Sequence, residues 1–125
     1  MIIDSHFHIW DPSTREHGWL RGMPSLQRRF WFEEFKGASV GSGVEAGLLV
    51  QVLNDFDESL EFLAASSVES GVAGVVAWVD LEGDVASQVA ALQGGFGGDL
   101  LVGVRHLVQD EADPLYLERS KVVSA

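Results

Sequence analysis

The chain has 125 residues and carries 19 Asp and Glu against 8 Lys and Arg, which gives a formal net charge of -11. Nucleic acids and anionic membranes require a basic surface, so this charge argues against both as partners. With 46% hydrophobic and 22% charged residues, residues 1–125 are predicted to form one globular domain. There is no cysteine, no apolar run of membrane-spanning length and no signal-peptide pattern, so we expect a cytoplasmic protein.

The first predicted strand covers residues 2–9 and contains a pair of histidines. Alternate side chains of a strand point to the same side, so Asp4, His6 and His8 are expected to share one face. Neutral imidazole is a common zinc ligand, so the pair predicts half of a metal site. The alternative is two hydrogen-bonded core histidines. Asp4 is expected to orient one imidazole as a hydrogen-bond acceptor, or to be a simple buried partner.

A long polar segment from Asp11 to about Val44 follows, with a short helix expected around residues 33–36. Loops that leave the carboxyl ends of parallel strands build active sites, so this segment belongs at the active-site rim or is a cover over the core.

Three more apolar segments, rich in β-branched residues, predict strands over residues 46–53, 72–79 and 100–107. Helical spacing predicts helices over residues 57–70 and 83–93. Asp57 and Asp84 are placed to start these helices, and Gly71 and the glycines of residues 94–98 to end them. This order predicts right-handed βαβ units with a parallel sheet, and therefore an α/β fold.

Polar or aromatic residues occur near the carboxyl ends of the later strands. Gln51 and Trp78 are predicted to contact a substrate, although an internal partner for the amide and a core position for the indole are the alternatives. Arg105 is predicted to bind a carboxylate or carbonyl, and His106 to act on the substrate as a proton donor. The alternative is a surface salt bridge for Arg105 and a capping role for His106. Because adjacent strand residues face opposite ways, only one of these two should face the site, and His106 is favoured if Val102 and Val104 point inward.

Four blocks of the sequence resemble the amidohydrolase superfamily, and most closely its amidohydrolase 2 branch, which includes sugar-lactone hydrolases. The blocks are Ile3-Asp4-Ser5-His6-Phe7-His8-Ile9-Trp10-Asp11-Pro12, Leu49-Val50-Gln51-Val52, Gly74-Val75-Val76-Ala77-Trp78-Val79-Asp80-Leu81 and Val102-Gly103-Val104-Arg105-His106-Leu107-Val108-Gln109-Asp110-Glu111. The resemblance implies the first half, about four βα units, of a TIM barrel, since a whole barrel takes about 250 residues.

The resemblance also implies the chemistry. His6 and His8 would bind a divalent metal such as zinc, or polarise a carbonyl, and His6, His8 and His106 would form the catalytic group of a lactonase. The remaining ligands and the general base of this superfamily come from later strands, so the metal site would be incomplete in this chain. Whether the chain is itself an enzyme is left open. The alternatives are a related decarboxylase, or a non-catalytic half-barrel that forms a homodimer or pairs with a C-terminal half.

Overall fold

The computed structural model describes residues 1–125 and contains one four-stranded sheet. The strands are β1 (Ile2–Phe7), β2 (Val44–Val50), β3 (Val72–Ala77) and β4 (Leu101–Val104). They lie in the order β1-β2-β3-β4, and all three neighbouring pairs are parallel. The predicted α/β fold with parallel strands is therefore confirmed.

Every strand ends two or three residues before the sequence pattern predicts. Residues 8–9, 51–53, 78–79 and 105–107 lie beyond the carboxyl ends of their strands. Several of them remain buried although they are outside the sheet, as Ile9, Val52 and Val79 show with exposures of 0%, 5% and 1%. Because apolar burial continues past the last backbone pair, a pattern of apolar residues overestimates strand length.

The connecting helices are α1 (Phe32–Ser39), α2 (Phe56–Ser66), α3 (Val85–Gly94) and the short α4 (Ser120–Val123). Asp84 caps α3 as predicted, since its carboxylate accepts a hydrogen bond from Ser87 N at 3.0 Å. The prediction for α2 is wrong by two residues, because Asp55 and not Asp57 accepts from Glu58 N at 2.9 Å. Helix α2 ends at Ser66, so Gly71 lies well beyond it, directly before β3.

The helices cover one face of the sheet and form the hydrophobic core with it. Leu49 of β2 and Val75 of β3 are fully buried against Phe62, Leu63 and Leu92 of the helices. Transfer of such side chains out of water contributes about 1.5–3 kcal/mol each. The core therefore lies between the sheet and the helix layer, and it holds the carboxyl ends of the strands in fixed positions.

The two outer strands, β1 and β4, differ from the two central strands because each has an unpaired edge and carries exposed apolar side chains. Ile2 and Ile3 of β1 are 54% and 48% exposed, and Val102 and Val104 of β4 are 57% and 44% exposed. No helix of the chain has the length and apolar character needed to cross a bilayer.

The segment between β1 and α1 is a closed loop and not an open flap. Trp10 N donates to Phe30 O at 2.8 Å, and Phe30 N donates back to Trp10 O at 2.9 Å. The indole of Trp10 also donates to Leu26 O at 3.0 Å. These bonds join the two ends of the loop and fix its path next to the end of β1.

Candidate active site

The candidate site lies at the carboxyl edge of the sheet. His8, Gln51, Trp78 and Arg105 are each the first residue after a strand, so four strands deliver four functional side chains to one rim. This is the side on which parallel α/β barrels carry their active sites.

His6 and His8 converge as the sequence predicts, although His8 lies just outside β1. Their Nε2 atoms are 3.0 Å apart. His8 Nδ1 donates to Val50 O at 2.8 Å, which leaves its Nε2 without a proton and available as an acceptor or ligand. Burial lowers the pKa of His8, and the nearby His6 and Arg105 lower it further, so this imidazole is neutral at pH 7.

Asp4 has a different role from the predicted one. Its carboxylate accepts from the backbone N–H of His6 at 2.9 Å and fixes the chain there, and the imidazoles are oriented without it.

The histidine pair fits two positions of a metal site. Zinc–nitrogen bonds of about 2.0–2.1 Å in a tetrahedral arrangement place two ligand nitrogens about 3.3 Å apart, close to the 3.0 Å found here. The described residues contain no group of three or more His, Cys, Asp or Glu side chains arranged to hold a metal ion. Metal binding by His6 and His8 therefore stays a prediction.

Arg105 lies beside the histidines and is held by Gln51. Its Nε donates to Gln51 Oε1 at 3.1 Å and its Nη2 to Gln51 O at 3.4 Å, while Nη1 lies 3.3 Å from His6 Nε2. Two of the five N–H donors of the guanidinium are thus engaged by Gln51, and Nη1 points towards the histidine pair. Gln51 is completely buried, and its amide N–H groups find acceptors at Leu53 O and Arg105 O. Its observed role is to position Arg105, and direct contact with a substrate stays a prediction.

His106 belongs to a second, more buried group. Trp78 Nε1 donates to His106 Nδ1 at 2.9 Å, so the proton of the neutral ring is on Nε2, which donates to Glu111 Oε1 at 2.6 Å. The imidazole also stacks on Tyr116, with 4.4 Å between ring centroids. The His106 side chain is only 6% exposed, and both of its nitrogens are occupied.

These contacts reverse the expected orientation at the end of β4. The sequence favoured His106 as the residue facing the site, but Arg105 reaches the histidine pair, and His106 turns towards Trp78 and Glu111. The physical reason is that β4 ends at Val104, so strand alternation no longer sets the direction of these two side chains. A catalytic role for His106 and substrate contact by Trp78 remain untested predictions.

Two residues that the sequence did not single out support the rim. Asn54 Oδ1 accepts from Leu107 N at 2.8 Å and thereby joins the chain after β2 to the chain after β4. Glu58 Oε1 accepts from Val52 N at 2.9 Å and Leu53 N at 3.0 Å. Burial raises the pKa of this carboxyl group to about 7, against the opposing effect of the two hydrogen bonds. An acidic residue on an otherwise buried helix face was the available signal for Glu58.

A cavity of about 290 Å³ opens next to His8 and Arg105. The loop between β1 and α1 contributes Trp19 to its wall, and residues 107–110 contribute Leu107, Gln109 and Asp110. The long loop therefore reaches the active-site rim and does not only cover the core.

No protein-family profile matches the chain. It is 33% identical over 112 residues to an L-fucono-1,5-lactonase of Burkholderia multivorans, in an alignment that covers 89% of this chain and 37% of the relative. A crystal structure of an amidohydrolase from Burkholderia multivorans with bound zinc superposes with a TM-score of 0.85 at 30% identity, over 98% of this chain and 43% of that one. An amidohydrolase 2 from Bifidobacterium longum subsp. infantis gives a TM-score of 0.52 at 32% identity, over 60% of this chain and 31% of that one.

The chain thus spans about 40% of the length of the first two of these proteins. Its four parallel βα units match part of a TIM barrel. In sequence and in fold, the chain is therefore similar to the N-terminal half of the amidohydrolases.

Proposed function

We propose that this chain provides the carbonyl-binding half of the active site of a sugar lactonase. The observation that carries the proposal is the convergence of His6, His8 and Arg105 at the carboxyl edge of the sheet, where His6 Nε2 lies 3.0 Å from His8 Nε2 and 3.3 Å from Arg105 Nη1. The L-fucono-1,5-lactonase named among the relatives supplies the substrate class.

The positions of these groups suit the opening of a cyclic ester. In this reaction the oxygen of a water molecule adds to the carbonyl carbon, the ring C–O bond breaks, and the ring oxygen takes up a proton as the carboxylate forms. The N–H groups of Arg105 that Gln51 leaves free would bind the carbonyl oxygen as negative charge develops on it. Where no metal ion occupies its Nε2, neutral His8 would accept a hydrogen bond there from the attacking water in place of its contact with His6.

A divalent metal fits this proposal in part. His6 Nε2 and His8 Nε2 would hold it, and the other ligands would come from outside the described residues, since the chain has no third ligand in place. When bound, such an ion polarises a carbonyl or acidifies a water molecule. The general base is likewise proposed to lie in the part of the barrel outside these residues.

The proposal predicts that the chain binds the carboxylate product of the reaction, L-fuconate, through Arg105. Isothermal titration calorimetry on the 125-residue chain should show binding, and Arg105→Gln should weaken it by about tenfold or more, because a hydrogen bond to a charged group is lost. Arg119→Gln is the matched control, since Arg119 pairs with Glu82 and Asp113 away from this rim. Equal affinities of the wild type and Arg105→Gln would refute the proposal.

The exposed edges favour a second proposal, that the chain acts as half of a two-part barrel and is not active alone. We propose that the partner that covers these edges is a C-terminal amidohydrolase half. Nearly all of this protein matches 43% of the zinc-bound neighbour. The remaining part of a barrel would cover Val102, Val104 and the edge of β1. Bare strand edges and exposed apolar side chains are the features that such pairing removes.

Light scattering coupled to gel filtration tests this pairing. The chain should be monomeric alone and should form a one-to-one complex with the C-terminal part of the Burkholderia multivorans lactonase. If the chain instead forms a stable homodimer that does not bind the added half, a second copy of this chain covers the strand edges.

A further inference from the structure

We infer that Glu58 is a positioning residue, whose buried carboxyl group fixes the backbone after β2 and thereby orients Arg105 for the carboxylate or carbonyl group of a ligand. This inference rests on the proposed function and deepens it, because it identifies what gives the ligand-binding arginine its orientation. Glu58 lies in α2 and is only 1% exposed, so it acts through other residues and not on the ligand itself.

Arg105 has no carboxylate partner of its own. The chain has six arginines, and each of the other five lies within 4.0 Å of a carboxylate. Arg105 is instead held by two neutral oxygen atoms of one residue, since its Nε donates to Gln51 Oε1 and its Nη2 donates to Gln51 O. The orientation of this guanidinium group therefore depends on how firmly Gln51 is fixed.

Gln51 lies just beyond the end of β2, where Glu58 takes over the role of a neighbouring strand. Gln51 N still donates to Val76 O of β3 at 2.9 Å. The next two backbone N–H groups, those of Val52 and Leu53, donate to Glu58 Oε1 at 2.9 Å and 3.0 Å. One carboxyl oxygen thus binds two backbone donors that the sheet leaves unpaired.

Both contacts of Arg105 lead back to these two bonds. Gln51 O and Val52 N belong to the same planar peptide unit. The bond from Val52 N to Glu58 therefore fixes the carbonyl group that accepts from Arg105 Nη2. Gln51 Nε2 donates to Leu53 O at 3.2 Å, and Glu58 binds the N–H group of the same Leu53. The side-chain amide that accepts from Arg105 Nε is thus tied to a second group that Glu58 holds.

The charges around Glu58 agree with this coupling. Burial lowers the pKa of the Arg105 guanidinium group, and the negative charge of Glu58 opposes this effect, so the two groups interact across the Gln51 peptide. Glu58 is also faced by Arg15 from the loop between β1 and α1, and by Asp55 at the start of α2. Because Glu58 does not contact Arg105 itself, the N–H groups that Gln51 leaves free stay available to a ligand.

Two substitutions of similar shape test this role at about pH 6, where the Glu58 carboxyl group is mostly protonated because burial raises its pKa to about 7. Glu58→Met removes the acceptor with little change of charge, whereas Glu58→Gln keeps an acceptor oxygen. Glu58→Met is expected to shift the 15N NMR signal of Arg105 Nε–H, which is identified by its absence from Arg105→Gln. It should also weaken L-fuconate binding about fivefold or more, because Arg105 is no longer oriented in advance. Glu58→Gln should bind like the wild type and keep the signal near its wild-type position.

Leu63→Val is the matched control. Leu63 lies on the same helix and is also 1% exposed, but it lies next to Gly97, before β4 and away from the rim. This substitution lowers stability through packing alone, so the Arg105 signal and the affinity should be unchanged. If folded Glu58→Met keeps both the signal and the affinity of the wild type, the inference is refuted and the proposed function stands. If the wild type does not bind L-fuconate, the proposed function is refuted, and this inference with it.

A second measurement decides the question if Glu58→Met does not fold. In the wild type, the signals of Arg105 Nε–H and Val52 N–H should move together between about pH 6 and 8, as Glu58 ionises and becomes a stronger acceptor. Glu58→Gln cannot ionise, so this common movement should be absent from it, whereas changes that come from other groups near Arg105 occur in both proteins. An Arg105 signal that moves equally in the wild type and in Glu58→Gln would overturn the inference.

Discussion

At the scale of single residues, the buried carboxyl group of Glu58 connects the core to the active-site rim. It accepts the backbone N–H groups of Val52 and Leu53, which directly follow Gln51, and Gln51 in turn holds Arg105. Glu58 is 1% exposed, so its ionised form is costly, and burial raises its pKa from 4.5 to about 7.

This raised pKa predicts how stability depends on pH. Between about pH 4.5 and 7 the unfolded chain releases the Glu58 proton while the folded chain keeps it, so the unfolding free energy falls as pH rises. At 1.36 kcal/mol per pKa unit, the loss is on the order of 3 kcal/mol by pH 8. Glu58→Gln keeps an acceptor oxygen for both N–H groups and cannot ionise. Its stability relative to the wild type should therefore increase across this range.

Urea unfolding at a series of pH values checks this prediction. Asp57→Asn is the control on the same helix, since Asp57 is exposed and should leave the pH dependence unchanged. Parallel stability curves for the wild type and Glu58→Gln would contradict the assigned role of Glu58.

At the residue scale, the sequence predicted the groups at the carboxyl ends of the strands and missed the residues that support them. His6, His8 and Arg105 could be found because polar residues interrupt apolar segments at these points. Asn54 and Glu111 lie in polar segments with no periodic pattern, and their roles arise from contacts between separate loops. The direction of His106 was mispredicted because the strand ends at Val104.

At the scale of elements, the turn after α3 depends on a glycine. Gly97 has a φ of 71°, in the left-handed region that favours glycine, and a Cβ at this position would collide with Leu63 O of α2. Helix α3 can thus pack closely against α2 only because Gly97 has no side chain.

Gly97→Ala is expected to lower the unfolding free energy by about 2 kcal/mol or more, since it combines a strained backbone with overlap against a carbonyl. Gly94→Ala is the matched substitution three residues earlier, where no atom lies within 4 Å of the added Cβ. It should stabilise α3 by up to about 1 kcal/mol, the difference in helix propensity. Thermal unfolding of the two variants distinguishes them, and equal effects would show that the close packing at Gly97 is not required.

The element order was predictable because each strand is a short apolar run followed by a helix-spaced segment. The ends of the strands could not be predicted, since residues such as Val52 and Val79 stay buried after the sheet has ended. The start of α2 was placed two residues late because Asp55 and Asp57 are both suitable caps, and only the structure shows which carboxylate meets Glu58 N.

At the scale of the whole molecule, the chain combines an ordered site with an incomplete barrel. Four strands form a parallel sheet with one face covered by helices, whereas the outer strands expose Ile2, Ile3, Val102 and Val104. Resemblance in four sequence blocks was sufficient to predict this half-barrel. The sequence could not show which groups the rim holds together, because those contacts join residues up to 99 positions apart.

The central claim is that His8 and Arg105 form the carbonyl-binding part of a lactonase site that a C-terminal half completes. The most direct measurement is the rate of hydrolysis of L-fucono-1,5-lactone by the chain mixed with the C-terminal part of the Burkholderia multivorans lactonase. The mixture should hydrolyse the lactone faster than either part alone, and Arg105→Gln or His8→Gln should remove the gain without preventing association. A complex that forms but adds no activity, or whose activity is unaffected by both substitutions, would contradict the claim.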